Sequence, residues 1–156
     1  MIVVSDTSPI TALLQIGREG ILKDLFSVVA VPRAVEAELL KIHHDLPEFV
    51  CIHDVINSTE VTALRLSLDQ GESEAIVLAE ELQADLLLID ETLGRRVAVA
   101  RGIHVAGLLG VLILAKRSGL ISRAAPIIQQ LQSTAGFYVS AEVVLLVLAE
   151  AGESID

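Results

Sequence analysis

Leu86-Leu87-Leu88-Ile89-Asp90 decides the fold: four consecutive apolar residues stop at a carboxylate. Ile2-Val3-Val4-Ser5-Asp6, near the start of the chain, repeats the pattern. A third run, Val28-Val29-Ala30-Val31, passes through Pro32 into a segment of helical periodicity carrying Glu38. Short runs that are apolar at every position suit strands buried on both faces, as in a parallel sheet. Helical patterns separate them, at about 8–16, 21–26, 32–43, 60–68, 72–84, 92–101, 108–118, 122–134 and 141–150. Ser8-Pro9 reads as cap and first helical residue. Residues 49–55, 103–105 and 137–140 read as extended. Strands alternating with helices predict an α/β fold with a sheet covered on both faces. In such folds ligands bind beyond the carboxyl ends of the strands, where Asp6 and Asp90 fall.

The 156 residues contain no repeat, low-complexity run or linker, so a single domain over 1–156 is expected. Mean hydropathy is high, at +0.64. The longest apolar stretch, Val105 to Ala115, is nonetheless well short of the roughly 20 residues that span a bilayer. No membrane association and no export signal are expected. The lone cysteine, Cys51, forms no intramolecular disulfide and suits a reducing cytoplasm. Formal net charge is −10, yet no acid occurs from Thr92 to Ala141, which holds six of the 11 basic residues. An acidic body with one basic segment can set a phosphate-attracting rim beside an acidic site; the plainer alternative is solvated helix faces.

The acids can be sorted by helical angle. After Pro32, Val35, Leu39 and Ile42 make an apolar stripe, and Glu38 falls about 60° from Val35 on the same side, whereas Glu36 turns away. In Gly71-Glu72-Ser73-Glu74, Glu72 lies about 50° from the centre of its helix's inner stripe and Glu74 about 110°. Glu72 is the better inward carboxylate, with Glu74 as substitute or second ligand. Two carboxylates about 4 Å apart repel by about 4 kcal/mol at an effective dielectric of 20. Asp6, Glu38, Glu72 and Asp90 brought together therefore require protons or cations. Carboxylate oxygens suit Mg²⁺ or Mn²⁺ rather than zinc, and such a cation can activate water against a phosphodiester. The four histidines lack zinc spacing, and neither a nucleophile elbow nor a Walker loop occurs.

These motifs, in this order, resemble PIN domains, the metal-dependent ribonuclease fold of toxin–antitoxin systems. The resemblance rests on Val4-Ser5-Asp6-Thr7-Ser8-Pro9, Val31-Pro32-Arg33-Ala34-Val35-Glu36-Ala37-Glu38-Leu39, Gly71-Glu72-Ser73-Glu74-Ala75-Ile76 and Leu88-Ile89-Asp90-Glu91. Gly94-Arg95-Arg96-Val97-Ala98 and Gly107-Leu108-Leu109-Gly110 look like a stand-alone prokaryotic subgroup. The resemblance implies a three-layer α/β/α sandwich with a mainly parallel sheet. It further implies Mg²⁺ or Mn²⁺ held by acids matching Asp6, Glu38, Glu72 and Asp90, with Thr7 or Ser8 as hydrogen-bonding partners. RNA would be the substrate, the protein a homodimer, and a toxin would have an antitoxin. Arg95 and Arg96 are the candidates for phosphate contact. A catalytically weak binding module that acts through its apolar last helix is the alternative from another class.

Overall fold

The structure is a computed structural model and describes residues 1–154. β1 (Val3–Ser5) turns at once into α1 (Thr7–Gln15), and α2 (Gly20–Phe26) leads to β2 (Val29–Pro32) and α3 (Arg33–Ile42). β3 (Val50–His53) precedes α4 (Ser58–Leu64) and α5 (Gln70–Glu81). Then come β4 (Leu86–Leu88), α6 (Thr92–Ala100), β5 (Val105–Ala106) and α7 (Leu108–Arg117). α8 (Ala125–Ser133) and α9 (Ala141–Glu150) complete the described elements.

The five strands are all parallel, in the order β3-β2-β1-β4-β5. The chain builds outward from β1 in one direction through β2 and β3, then crosses to β1's other side with β4. The reversal point therefore lies between β1 and β4, where Ser5 is in register with Leu88. Loops on the two sides diverge at such a point and leave a crevice. Asp6 extends the pairing by one residue, its N–H donating to the Leu88 carbonyl at 2.9 Å. Asp90 follows β4 by two residues.

Alternation along the strands fills both layers. Val3, Val29, Val31 and Leu88 face a core with Leu13, Leu22, Leu39, Leu112 and Leu131. Val4, Ala30, Leu87 and Ile89 face the opposite core with Leu64, Ile76, Leu78 and Ala98. The result is the expected α/β/α sandwich, with the hydrophobic runs buried on both faces of one sheet.

Several boundaries differ from the sequence reading. α1 begins at Thr7, and Asp6 rather than Ser8 occupies the cap position. Asp6 still has extended backbone because its N–H continues the sheet ladder, and the chain turns directly after it. Pro9 then falls in the first turn, where a missing N–H loses no helical bond. Pro32 ends β2 and caps α3 instead of opening it. α5 starts two residues before the expected position, with Asp69 as its cap. β5 starts two residues late and ends one late, with Leu87 and Ile89 donating to the carbonyls of His104 and Ala106. Residues 137–140 form no strand. No helix among the described residues is long and apolar enough to cross a membrane.

Candidate active site

Four sequence-predicted acids gather at the β1–β4 crevice. Asp6 stands at the N-cap of α1, yet its side chain makes no capping hydrogen bond. It is 7% exposed. Burial pushes its carboxyl up to about 7 against the opposing pull of the Thr7 backbone N–H, and the charges of Asp69, Glu38 and Asp90 add to the rise.

Glu72 is equally buried, at 7% exposed, in the first turn of α5. Its backbone N–H is satisfied by Asp69 Oδ1 at 2.8 Å. Its carboxyl Oε2 is sealed from solvent and has no hydrogen-bond partner. Burial above all, and Asp69 by hydrogen bonding to the protonated form and by charge, raise this carboxyl to about 8. Asp6 and Glu91 contribute by charge alone.

Glu38 and Asp90 are held by named donors. Thr7 Oγ1 donates to Glu38 Oε2 at 2.8 Å. The Leu108 backbone N–H, at the start of α7, donates to Asp90 Oδ1 at 2.8 Å. Ser8 Oγ reaches Asp90 Oδ2 only at 3.5 Å. Burial raises the Asp90 carboxyl, while the Leu108 N–H, the Arg95 charge and Ser8 hold it down. Thr7 and Ser8 thus each touch one of the acids.

Three glycines make room for this cluster. A Cβ at Gly71 would strike Glu38 Oε1 and lie 3.5 Å from Asp6 Oδ1. One at Gly94 would come within 2.7 Å of Glu72 Oε2, and one at Gly107 within 2.7 Å of Asp90 Oδ1. Each glycine lets a backbone approach a carboxylate more closely than any side chain permits. As the side chains stand, no group of three or more His, Cys, Asp or Glu among the described residues is arranged to hold a metal ion.

The model of the PIN domain matches residues 2–153 of this chain. The chain belongs to the PIN domain family. Comparison with curated proteins gives no significant match. PIN domains are generally nucleases and typically depend on a divalent metal. This PIN domain thus has a nuclease fold, with its buried acids at the crevice where α/β folds bind ligands.

Two acids behave differently from the sequence reading of this PIN domain. Glu74 accepts from the Ala34 backbone N–H at 3.1 Å and from the Gln70 amide, which ties it to the N-terminus of α3. Asp69 was not among the expected site residues, yet it caps α5 and acts by charge on both Asp6 and Glu72. Asp69-Gln70-Gly71 reads as a break between helices. The discriminating signal was the spacing Asp69-x-x-Glu72, an acidic N-cap with a glutamate three residues on. Of the two arginines, Arg95 lies beside Asp90 and Gly107. Arg96 is exposed and does not line the groove next to Asp90.

Proposed function

We propose that this PIN domain is a Mg²⁺- or Mn²⁺-dependent endoribonuclease centred on Asp6, Glu38, Glu72 and Asp90. The observation that carries this reading is Glu72, whose Oε2 is buried without a partner beside an equally desolvated Asp6. Such carboxyls are costly unless they meet a cation, and an all-oxygen set suits Mg²⁺ or Mn²⁺. The clearances at Gly71, Gly94 and Gly107 fit the same reading. Mg²⁺ usually keeps several waters and takes one or two carboxylates plus substrate phosphate. An incomplete protein cage is therefore compatible with it. The commitment of Glu74 to α3 favours Glu72 as the third acid.

The cation, when bound, supplies positive charge to the phosphodiester and lowers the pKa of a coordinated water. The chain's own residues do the rest. Asp6 and Glu72 would hold it as carboxylates, each releasing its proton on doing so. Thr7 and the Leu108 N–H orient Glu38 and Asp90 before substrate arrives. One of these carboxylates orients the attacking water. Arg95 meets the phosphate beside Asp90, and Arg96 meets the strand beyond the groove. The reading extends to a cytoplasmic homodimer acting as the toxin of a toxin–antitoxin pair, with the antitoxin covering the centre. The second reading, a catalytically weak binding module, is favoured by the lack of a ready-made ion cage among the described residues.

The test is cleavage of a mixed RNA pool by wild type and Asp6→Asn, with and without Mn²⁺. Mn²⁺-dependent cleavage by the wild type alone is expected. Equal cleavage by both would mean the centre is elsewhere. No cleavage by a folded, Mn²⁺-stabilised protein would favour the binding module.

A further inference from the structure

From the acid centre a groove of about 800 Å³ runs to the segment joining α8 to α9. Asp90, Ser8 and Arg95 line it beside the acids, and Phe137, Tyr138 and Val143 line it at the far side. The joining segment is set by Gly136, whose φ of +65° lies in the left-handed region. The Phe137 N–H then donates to the Leu131 carbonyl at 2.9 Å, and the Phe137 ring packs against the core. Its neighbour Tyr138 is left 94% exposed on the groove's edge. It is the only tyrosine in a chain with no tryptophan.

We propose that this groove binds the nucleotide flanking the scissile phosphate of a single-stranded RNA. Tyr138 is the stacking face for its base, and Arg95 contacts its phosphate. The proposal rests on the ribonuclease reading of the acid centre and adds a substrate subsite to it. Two features favour this occupant. The groove is continuous with the acid centre through Asp90, so a strand lying in it has a phosphodiester beside the acids. Away from the acid centre its wall also carries no negative charge to repel phosphate. Among the described residues its only carboxylates, Asp90 and Glu91, stand at the acid-centre end, and its wall from Arg95 to Ser140 comes from the acid-free segment. A cationic contact followed by an exposed aromatic ring is how sequence-tolerant single-strand sites are built. Aromatic residues are otherwise scarce here, at 3% of the chain.

The composition supplies the probe. Intrinsic aromatic emission of this protein is dominated by the Tyr138 ring. The Asp6→Asn protein, expected to leave RNA uncut, is titrated with a mixed-sequence single-stranded RNA hexanucleotide while emission and affinity are followed. Saturable quenching is expected. In the same background Tyr138→Ala should weaken binding about tenfold, and Tyr138→Phe should restore it to within about twofold. Arg95→Ala should weaken binding and flatten its salt dependence. The exposed Tyr138 side chain can be truncated without loss of packing. RNA that binds without changing the emission, Tyr138→Ala that binds as tightly as its parent, or no binding at all would each overturn the proposal. Cleavage by the wild type without quenching would remove the subsite and spare the acid centre. Quenching in a protein that never cleaves would keep the groove and remove the ribonuclease reading.

Discussion

Asp6 and Glu72 are held where their ionised forms are disfavoured, and this costs the metal-free protein stability as pH rises. Both carboxyls titrate higher in the folded chain, at about 7 and about 8, than their ordinary values of 3.8 and 4.5. The folded state therefore binds these protons more tightly than the unfolded state. The stability this confers is complete below about pH 4 and is lost as pH climbs through 7 to 8. Asp6→Asn removes one of the two groups. In urea denaturation without metal it should be more stable than wild type by roughly 1–3 kcal/mol at pH 8 and nearly equal to it at pH 4. Mn²⁺ should raise the wild-type melting temperature increasingly from pH 6 to 8, because the ligands must ionise to bind it, and should do little for the variant. A pH-independent difference between the two proteins would contradict this account. At this scale the sequence was informative where burial could be deduced. Asp6 and Asp90 end continuous apolar runs, and Glu72 lies on an apolar stripe. Asp69 was hidden because a cap acid and a site acid look alike until the neighbouring helix is placed.

At the scale of elements, the centre depends on how closely three backbones approach it. Gly94, in the first turn of α6, abuts both Glu72 Oε2 and Ile89 Cδ1, each 2.7 Å from where a Cβ would stand. Both neighbours are buried, so neither can swing out into solvent to make room. Gly94→Ala should cost about 1–3 kcal/mol in denaturation and should also reduce the stabilisation by Mn²⁺. A neutral substitution would mean that α6 yields more readily than its packing suggests. Glu74 offers the matching control, because it joins α5 to the first turn of α3. Glu74→Ala should lower stability by about 1 kcal/mol yet leave the Mn²⁺ gain intact. A lost gain would return Glu74 to the centre. Helix starts were the least legible elements. Capping is decided by which N–H groups the sheet has already used, as with Asp6, and that pairing is not written locally.

At the scale of the whole molecule, the class of sheet was legible but its order was not. Three-residue strands such as β1 and β4 carry too little pattern to choose a neighbour, and the crossover that sets β1 between β2 and β4 comes from helix packing. The apolar last helix is also only partly absorbed by the fold. Val147 and Leu148 are buried, but Leu146 remains 70% exposed and Leu145 is exposed beside it. If the expected homodimer forms on α9, Leu146→Glu should give the protomer mass in light scattering with an unchanged circular dichroism spectrum. A dimer that persists would shift the contact to another face.

Glu153 lies past α9 and has a consequence for the groove. Its side chain is 4% exposed and accepts from Lys116 Nζ and from the backbone N–H groups of Ala124 and Ala125. This one carboxylate fastens the far end of α9 to α7 and to the start of α8, while Val143 and Val147 of α9 form part of the groove wall. The two halves of the site therefore have separate supports. Asp6 and Asp90 follow sheet strands and Glu38 and Glu72 ride on α3 and α5, whereas the groove wall hangs from the Glu153 clasp. Removing the Glu153 carboxylate would loosen the groove wall while the acids stayed in place. If the groove holds RNA as proposed, feeble turnover in a protein so altered would report on the clasp and not on the chemistry.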